Sequence, residues 1–248
     1  MEARPEIVGA DLAVVDIAVG ESHGFLTARL PTGRTVEGTP MLMISALHEL
    51  ALQDHFASHG DWPLIHGASV VMHGRRLLLI GDKGLGKSTL SVHLLAQGHR
   101  VEGDEHVAVG VSSVVARPRT LRVKPGTFSV VKGLPDGLDQ CPSVTTWDGI
   151  PVYAIAPSLF GQPWRIAEGP LHACVVLQPN WGGRSIASKI SAETSFAALM
   201  ANGHFGSGGS VLALAARLRT LAVRTPAYVL RLGDITNAQW HLETIARS

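Results

Sequence analysis

Residues 81 to 88 read Gly-Asp-Lys-Gly-Leu-Gly-Lys-Ser, filling every fixed position of the pattern GxxxxGK[ST]. Each residue type there answers a requirement of holding a phosphate chain. Glycines let the backbone curl until successive N–H groups face one point, and the start of the following helix adds its partial positive charge. Lys87 is placed to reach the β- and γ-phosphates, and the Ser88 hydroxyl is a hard oxygen ligand suited to Mg²⁺. The segment therefore predicts a P-loop for ATP with Mg²⁺, made of Gly81, Asp82, Lys83, Gly84, Leu85, Gly86, Lys87, Ser88 and Thr89. A glycine turn that merely caps a helix would give no reason for Lys87-Ser88 in phase with three glycines.

Phosphoryl transfer to an alcohol also needs an acid beside the metal and a base for the hydroxyl proton. Asp104-Glu105 stands 23 residues after Gly81, beyond a helix expected over 88–97 and a short return segment. Both carboxylates can thus fold back beside the phosphates. The run Gly-Asp-Glu-His is also ordinary turn chemistry, and the neighbouring loop is what favours the functional reading. His66 approaches from the other direction. Leu64–Met72 and Arg75–Ile80 are strand-like runs separated by His73-Gly74, the mark of a two-residue hairpin. If Met72 pairs with Arg75, simple antiparallel register sets His66 opposite Gly81, at the mouth of the loop.

The rest of the chain supplies the elements that must hold these residues. Strands are expected over 12–19 and 24–30, and a helix over 41–58, where Met43, Leu47, Leu50, Ala51 and Phe56 roughly follow helical spacing before Gly60. After the P-loop helix come a strand over 106–111, a Pro/Arg strand region over 116–123, a Gly/Pro/Asp loop region over 132–149 and a buried strand over 173–177. Helices follow over 192–201 and 211–221, then a strand over 227–232 and a helix over 236–246. No repeat and no low-complexity linker interrupts the pattern. A single α/β domain is expected, with residues 1–60 as lead-in, 61–131 as nucleotide-binding core and 132–248 as the C-terminal part of the same domain.

Composition narrows the function classes. Of 248 residues, 46% are hydrophobic and 17% charged, which suits a folded globular chain. Lys and Arg total 21 against 20 Asp and Glu, so no broad basic field marks a general nucleic-acid binder. Cys141 and Cys174 show no CxxC or metal-finger spacing, so free thiols in a reducing cytoplasm are expected. The 12 histidines are scattered without HExxH or HxH, which predicts no structural metal site. The acidic first residues do not read as a signal peptide, and no run approaches the ~18 apolar residues of a membrane span.

Leu64-Ile65-His66-Gly67, the P-loop, Gly98-His99-Arg100 and Gly103-Asp104-Glu105 together resemble the HPr kinase/phosphorylase family, most closely its short relatives. The likeness covers residues 63–107. It implies an α/β fold with a P-loop core of the HPr kinase/phosphoenolpyruvate carboxykinase type, a mixed sheet with a β-hairpin before the P-loop. The resemblance also implies roles: Asp104 as the base for a serine hydroxyl, Glu105 assisting with Ser88 at the metal, Lys87 on the phosphates, and His66 tuning the acid pair. The family usually has Asp where Glu105 stands, and its later Leu-Glu-Ile-Arg-Gly signature meets only the basic stretch 121–126 here. The short relatives include kinases that phosphorylate a serine of ribosomally made peptides such as lasso peptides, and the family implies a homo-oligomer.

Taken together, the reading is an ATP-dependent kinase acting on a Ser/Thr hydroxyl of a peptide or small protein, cytoplasmic, with no nucleic-acid or membrane partner. A small-molecule hydroxyl kinase and a non-catalytic ATP-binding switch remain as alternatives. Arg117, Arg119, Arg122 and Lys124 offer a grip for phosphate or a peptide carboxylate, or else a solvated strand face. The glycine-rich residues 203–209 read as an inter-helix loop before a lid over the acceptor.

Overall fold

Leu77-Leu78-Leu79-Ile80 is apolar at four successive positions, a pattern that suits a strand covered on both faces. The computed structural model bears this reading: Leu77 and Leu79 belong to one buried cluster, Leu78 and Ile80 to another on the opposite face. Residues 6–8, 18–22, 25–29, 35–38, 62–117, 120–145, 149–162, 165–204 and 210–248 are described. The helix expected over 41–58, Arg119 and residues 205–209 lie outside them.

The chain divides into two compact units, residues 10–62 and the remainder, where the sequence reading has a single domain with a lead-in. A short β1 (Glu6–Val8) pairs in parallel with β13 (Arg165–Ala167) of the larger unit. In the smaller unit, β2 (Ala18–Ser22), β3 (Phe25–Arg29) and β4 (Thr35–Gly38) form an antiparallel meander. Their described ladders run only to one another.

The larger unit is built on a nine-stranded mixed sheet. Its centre is the hairpin of β5 (Leu64–Met72) and β6 (Arg75–Ile80), with Met72 paired to Arg75. His73 and Gly74 both have positive φ, 51° and 75°, as a tight hairpin turn of matching twist requires. Against the other edge of β5 lie β7 (Arg100–Gly103) and β8 (His106–Val109), and β9 (Val114–Ala116) pairs with β8. A separate three-stranded sheet joins β10 (Leu121–Val123), β11 (Ser143–Thr145) and β12 (Pro151–Ile155). The strand region expected over 116–123 is thus two strands in different sheets. Beyond β6 the order continues through β14 (Ala173–Pro179) and β17 (Ala227–Leu232), both parallel, to β15 (Ile186–Ile190) at the edge. A two-residue strand, β16 (Gly203–His204), also pairs with β5.

Helices cover both faces. Leu90 and Leu94 of α1 (Lys87–Ala96) and Leu242 of α5 (Ile235–Arg247) share the cluster of Leu77 and Leu79. A short α2 (Gly126–Val130) follows β10. Leu199 of α3 (Ala192–Ala201) and Leu214, Leu218 and Leu221 of α4 (Val211–Arg224) join Leu78 and Ile80 on the other face. Each such side chain, fully buried, contributes about 1.5–3 kcal/mol. Cys141 and Cys174 are free thiols, and burial pushes Cys174 up to about 12. No helix among the described residues is long and apolar enough to cross a membrane.

One contact between α1 and α5 is expected to make the fold sensitive to acid. His93 Nε2 donates to Gln239 Oε1 at 2.9 Å, and its Nδ1 is buried with no partner among the described residues. Burial holds the imidazole below its ordinary pKa, the nearby His99 adding to that, while the Gln239 bond and Asp234 oppose it. The unfolded chain therefore takes up this proton more readily, so the contribution is complete above about pH 6.5 and is lost as pH falls through the lowered native value. Urea midpoints measured between about pH 7 and 5 are expected to fall, and His93→Gln to flatten that slope. An unchanged slope in the variant would assign the acid loss to other groups.

Candidate active site

The loop after β6 is shaped by glycine at the positions where φ turns positive: Gly81 at 154°, Gly84 at 89° and Gly86 at 90°. Gly81 also runs close beneath β14, where an added Cβ would stand 3.0 Å from the Leu177 carbonyl oxygen. Gly86 caps α1 in a left-handed conformation that any larger residue would strain. Asp82, Lys83 and Gly84 form the exposed tip, Leu85 is half-buried, and Lys87 opens the helix.

Lys87 is only 6% exposed, and its ammonium donates to the carbonyl oxygens of Gly81 and, at 3.1 Å, Asp82. The charge therefore lies curled within the loop. Burial lowers the pKa of this lysine, and the negative charges of Asp104 first and Asp82 second work against that shift. Ser88, half-buried, follows at the second helical position, and Thr89 Oγ1 meets Thr127 Oγ1 of α2 at 2.9 Å.

Asp104 and Glu105 occupy the break between β7 and β8. Both strands pair with β5, through Ser69↔Gly103 on one side of the break and His66↔His106 on the other. The Gly67 N–H donates to the Glu105 carbonyl at 3.1 Å, so the acids lie level with Gly67 and Ala68. Those residues pair across β5 with Ile80 and Leu79, the last residues before the loop. Two glycines allow this close spacing: a Cβ on Gly67 would stand 2.7 Å from the Leu79 carbonyl oxygen, and one on Gly103 would collide with that of Arg117. Asp104 is buried and Glu105 half-buried.

The expected pairing of His66 with Gly81 does not form. The ladder of β5 and β6 ends at Gly67↔Ile80, because Gly81 turns the chain out of the sheet. The His66 N–H donates instead to the Asn202 carbonyl at 2.7 Å, and β16 continues along β5 from there. The His66 ring lies edge-on to that of His106, 6.4 Å between centres. His66 therefore stays one step along β5 from the level of Glu105, while Asn202 takes the ladder position assigned to Gly81.

Three further residues shape the site that the sequence reading missed. Glu102 is 1% exposed and accepts from Arg76 Nε at 2.6 Å, Arg76 Nη2 at 3.0 Å and Ser69 Oγ at 2.9 Å. This cluster clamps β7 against the hairpin two residues before Asp104. A signal existed in Arg76, a charge inside an apolar strand, which needs a buried partner. Asn202 and Thr127 carried no such signal. Of the basic residues, Arg117 follows β9, with its N–H on the His106 carbonyl at 3.0 Å, whereas Arg122 and Lys124 are exposed on and after β10. They do not belong to one strand face.

No family model matches the chain. It is 31% identical over 96 residues to an HPr kinase/phosphorylase of Pediococcus pentosaceus, a span of 39% of this chain and 27% of that protein. It is 36% identical over 58 residues to an HPr kinase/phosphorylase of Prosthecochloris aestuarii, 23% of this chain and 16% of that one. The chain is thus similar to HPr kinase/phosphorylases over these spans. The HPr-kinase-like match spans less than a third of the length of these curated relatives. Among solved structures, the Hpr(Ser) kinase/phosphatase from Coxiella burnetii aligns over 74% of this chain and 93% of its own, at 16% identity and a TM-score of 0.38.

Proposed function

We propose that this chain is an ATP-dependent kinase that moves the γ-phosphoryl group to a Ser/Thr hydroxyl of a peptide or small protein, such as a ribosomally made precursor peptide. The observation that carries the reading is the buried ammonium of Lys87, curled within the Gly81–Ser88 turn while the charge of buried Asp104 acts on it. A phosphate chain laid along the loop N–H groups would lie within reach of that ammonium, and Asp104 is the acid we assign to the acceptor.

The donor set also fits Mg²⁺, since the Ser88 hydroxyl and the Glu105 carboxylate are hard oxygens and the phosphates complete such a shell. The ion, when bound, would neutralise charge on the β- and γ-oxygens. The chain's own residues do the rest. Lys87 draws charge from the phosphate oxygens, and the loop fixes the γ-phosphorus for in-line approach. Asp104 takes the proton from the acceptor hydroxyl as its oxygen bonds to phosphorus. The bond between the γ-phosphorus and the bridging oxygen breaks, and ADP leaves with that electron pair.

The test is transfer of labelled γ-phosphate from ATP with Mg²⁺ to serine-containing peptides and to hydroxylated metabolites, read by mass. Phosphate on a peptide hydroxyl, abolished by chelating the metal, is the expected result. Product on metabolites alone would make this a small-molecule kinase, and tight ATP binding without any product would make it a switch.

A further inference from the structure

At the end of the hairpin away from the loop, a cleft of about 270 Å³ opens beside the turn, lined chiefly by Gly74, Arg75, Arg76, Arg100, Pro170 and His172. The six residues of β6 separate it from Gly81 by about 20 Å of strand. Arg75 pairs with Met72 at the start of β6, and Arg100 with Val71 at the start of β7, so the two arginines flank the end of β5.

The charges around this cleft do not cancel. Arg76 is fully engaged: Glu102 takes its Nε and Nη2, the Ala167 carbonyl accepts Nη2 at 3.0 Å, and the Pro170 carbonyl accepts Nη1 at 3.4 Å. Glu102, already holding Arg76 and Ser69, stands only 3.4 Å from Arg100 Nη2. One carboxylate thus serves two guanidinium groups, and the Nε–H of Arg100 is buried with no acceptor among the described residues. Arg75 Nη1 donates to His172 Nδ1 at 3.0 Å. With a guanidinium as its partner that nitrogen accepts, and Nε2 donates to the Ile245 carbonyl at 3.1 Å. The cleft is left with the charge of about two guanidinium groups, one exposed and one two-thirds withdrawn from water.

We propose that this cleft binds a small, multiply charged oxyanion, a phosphate or a polycarboxylate, between Arg75 and Arg100. Guanidinium forks pair with such oxygens two bonds at a time, and Arg100 has donor capacity that Glu102 does not satisfy. His172 and α5 hold Arg75 at the rim, while the Arg76–Glu102 pair forms the floor.

The experiment is calorimetric titration of inorganic phosphate, and separately of citrate, into the full chain carrying Lys87→Ala, which removes the loop lysine. Binding of either anion is expected to persist there and to weaken at least tenfold when Arg75→Gln and Arg100→Gln are added. Preference for phosphate over citrate assigns a phosphorylated ligand, and the reverse a polycarboxylate. No binding of either anion to Lys87→Ala, or binding that the arginine changes leave intact, overturns the proposal. If the combined variant does not fold, Arg75→Gln alone decides, because Arg75 is exposed: unchanged affinity in it likewise overturns the proposal.

Discussion

Lys87→Ala is expected to lower kcat/KM for ATP turnover by about 10²–10³-fold, the loss typical of removing one preorganised donor at a developing charge. The effect should be specific to chemistry. The ammonium is buried, and burial lowers its pKa, so the folded protein holds this charge at a cost that alanine removes. Against that stand two bonds to the Gly81 and Asp82 carbonyls and the packing of the aliphatic stem. Thermal unfolding should therefore shift far less than activity. In the wild type, the alkaline limb of the kcat/KM profile should fall below the 10.5 of an ordinary lysine, because that profile reports the free enzyme. Unchanged turnover in Lys87→Ala would remove the phosphate-loop reading itself.

Asp104→Asn should lower transfer to the acceptor by about 10²–10⁴-fold, the usual contribution of a positioned base. Asparagine keeps the shape of the side chain while removing its charge and most of its basicity, so the break between β7 and β8 should keep its form. Nucleotide affinity read by fluorescence or calorimetry should change only slightly by comparison, which separates the base from a group that merely binds ATP. Glu105→Gln supplies the contrast: its transfer should be restored in part by raising the Mg²⁺ concentration, and that of Asp104→Asn should not. Transfer by Asp104→Asn at the wild-type rate would end the assignment of Asp104 as base.

What the sequence revealed of this site follows from how local each signal is. The hairpin is legible because His73-Gly74 are residues that tolerate positive φ, and the strand bounds Leu64–Met72 and Arg75–Ile80 follow from the turn. The loop is legible because its glycines and lysine sit in one run of eight. Asp104-Glu105 could be placed near it because a helix and one short return strand leave little freedom. The position of His66 was a different matter. Register alone extends the ladder past Gly67↔Ile80, and only the φ of Gly81 stops it. Asn202, which takes that place, lies 136 residues from His66, and nothing near it in sequence marks a strand. The separation of β9 from β10 likewise depends on which segments they meet, β8 for one and β12 for the other.

The arrival of Asn202 and β16 along β5 has a consequence for association between molecules. A strand that loses its neighbour halfway along exposes unpaired N–H and C=O groups, the template on which another polypeptide adds and aggregation begins. By leaving the sheet at Gly81, β6 would create such a bare edge over Leu64–His66, beside the loop it leads into. Two residues of return strand close it. The curvature that shapes the loop and the patch that guards the sheet against stray chains are in this way one solution, and a change that frees Gly203–His204 would be felt first in solubility.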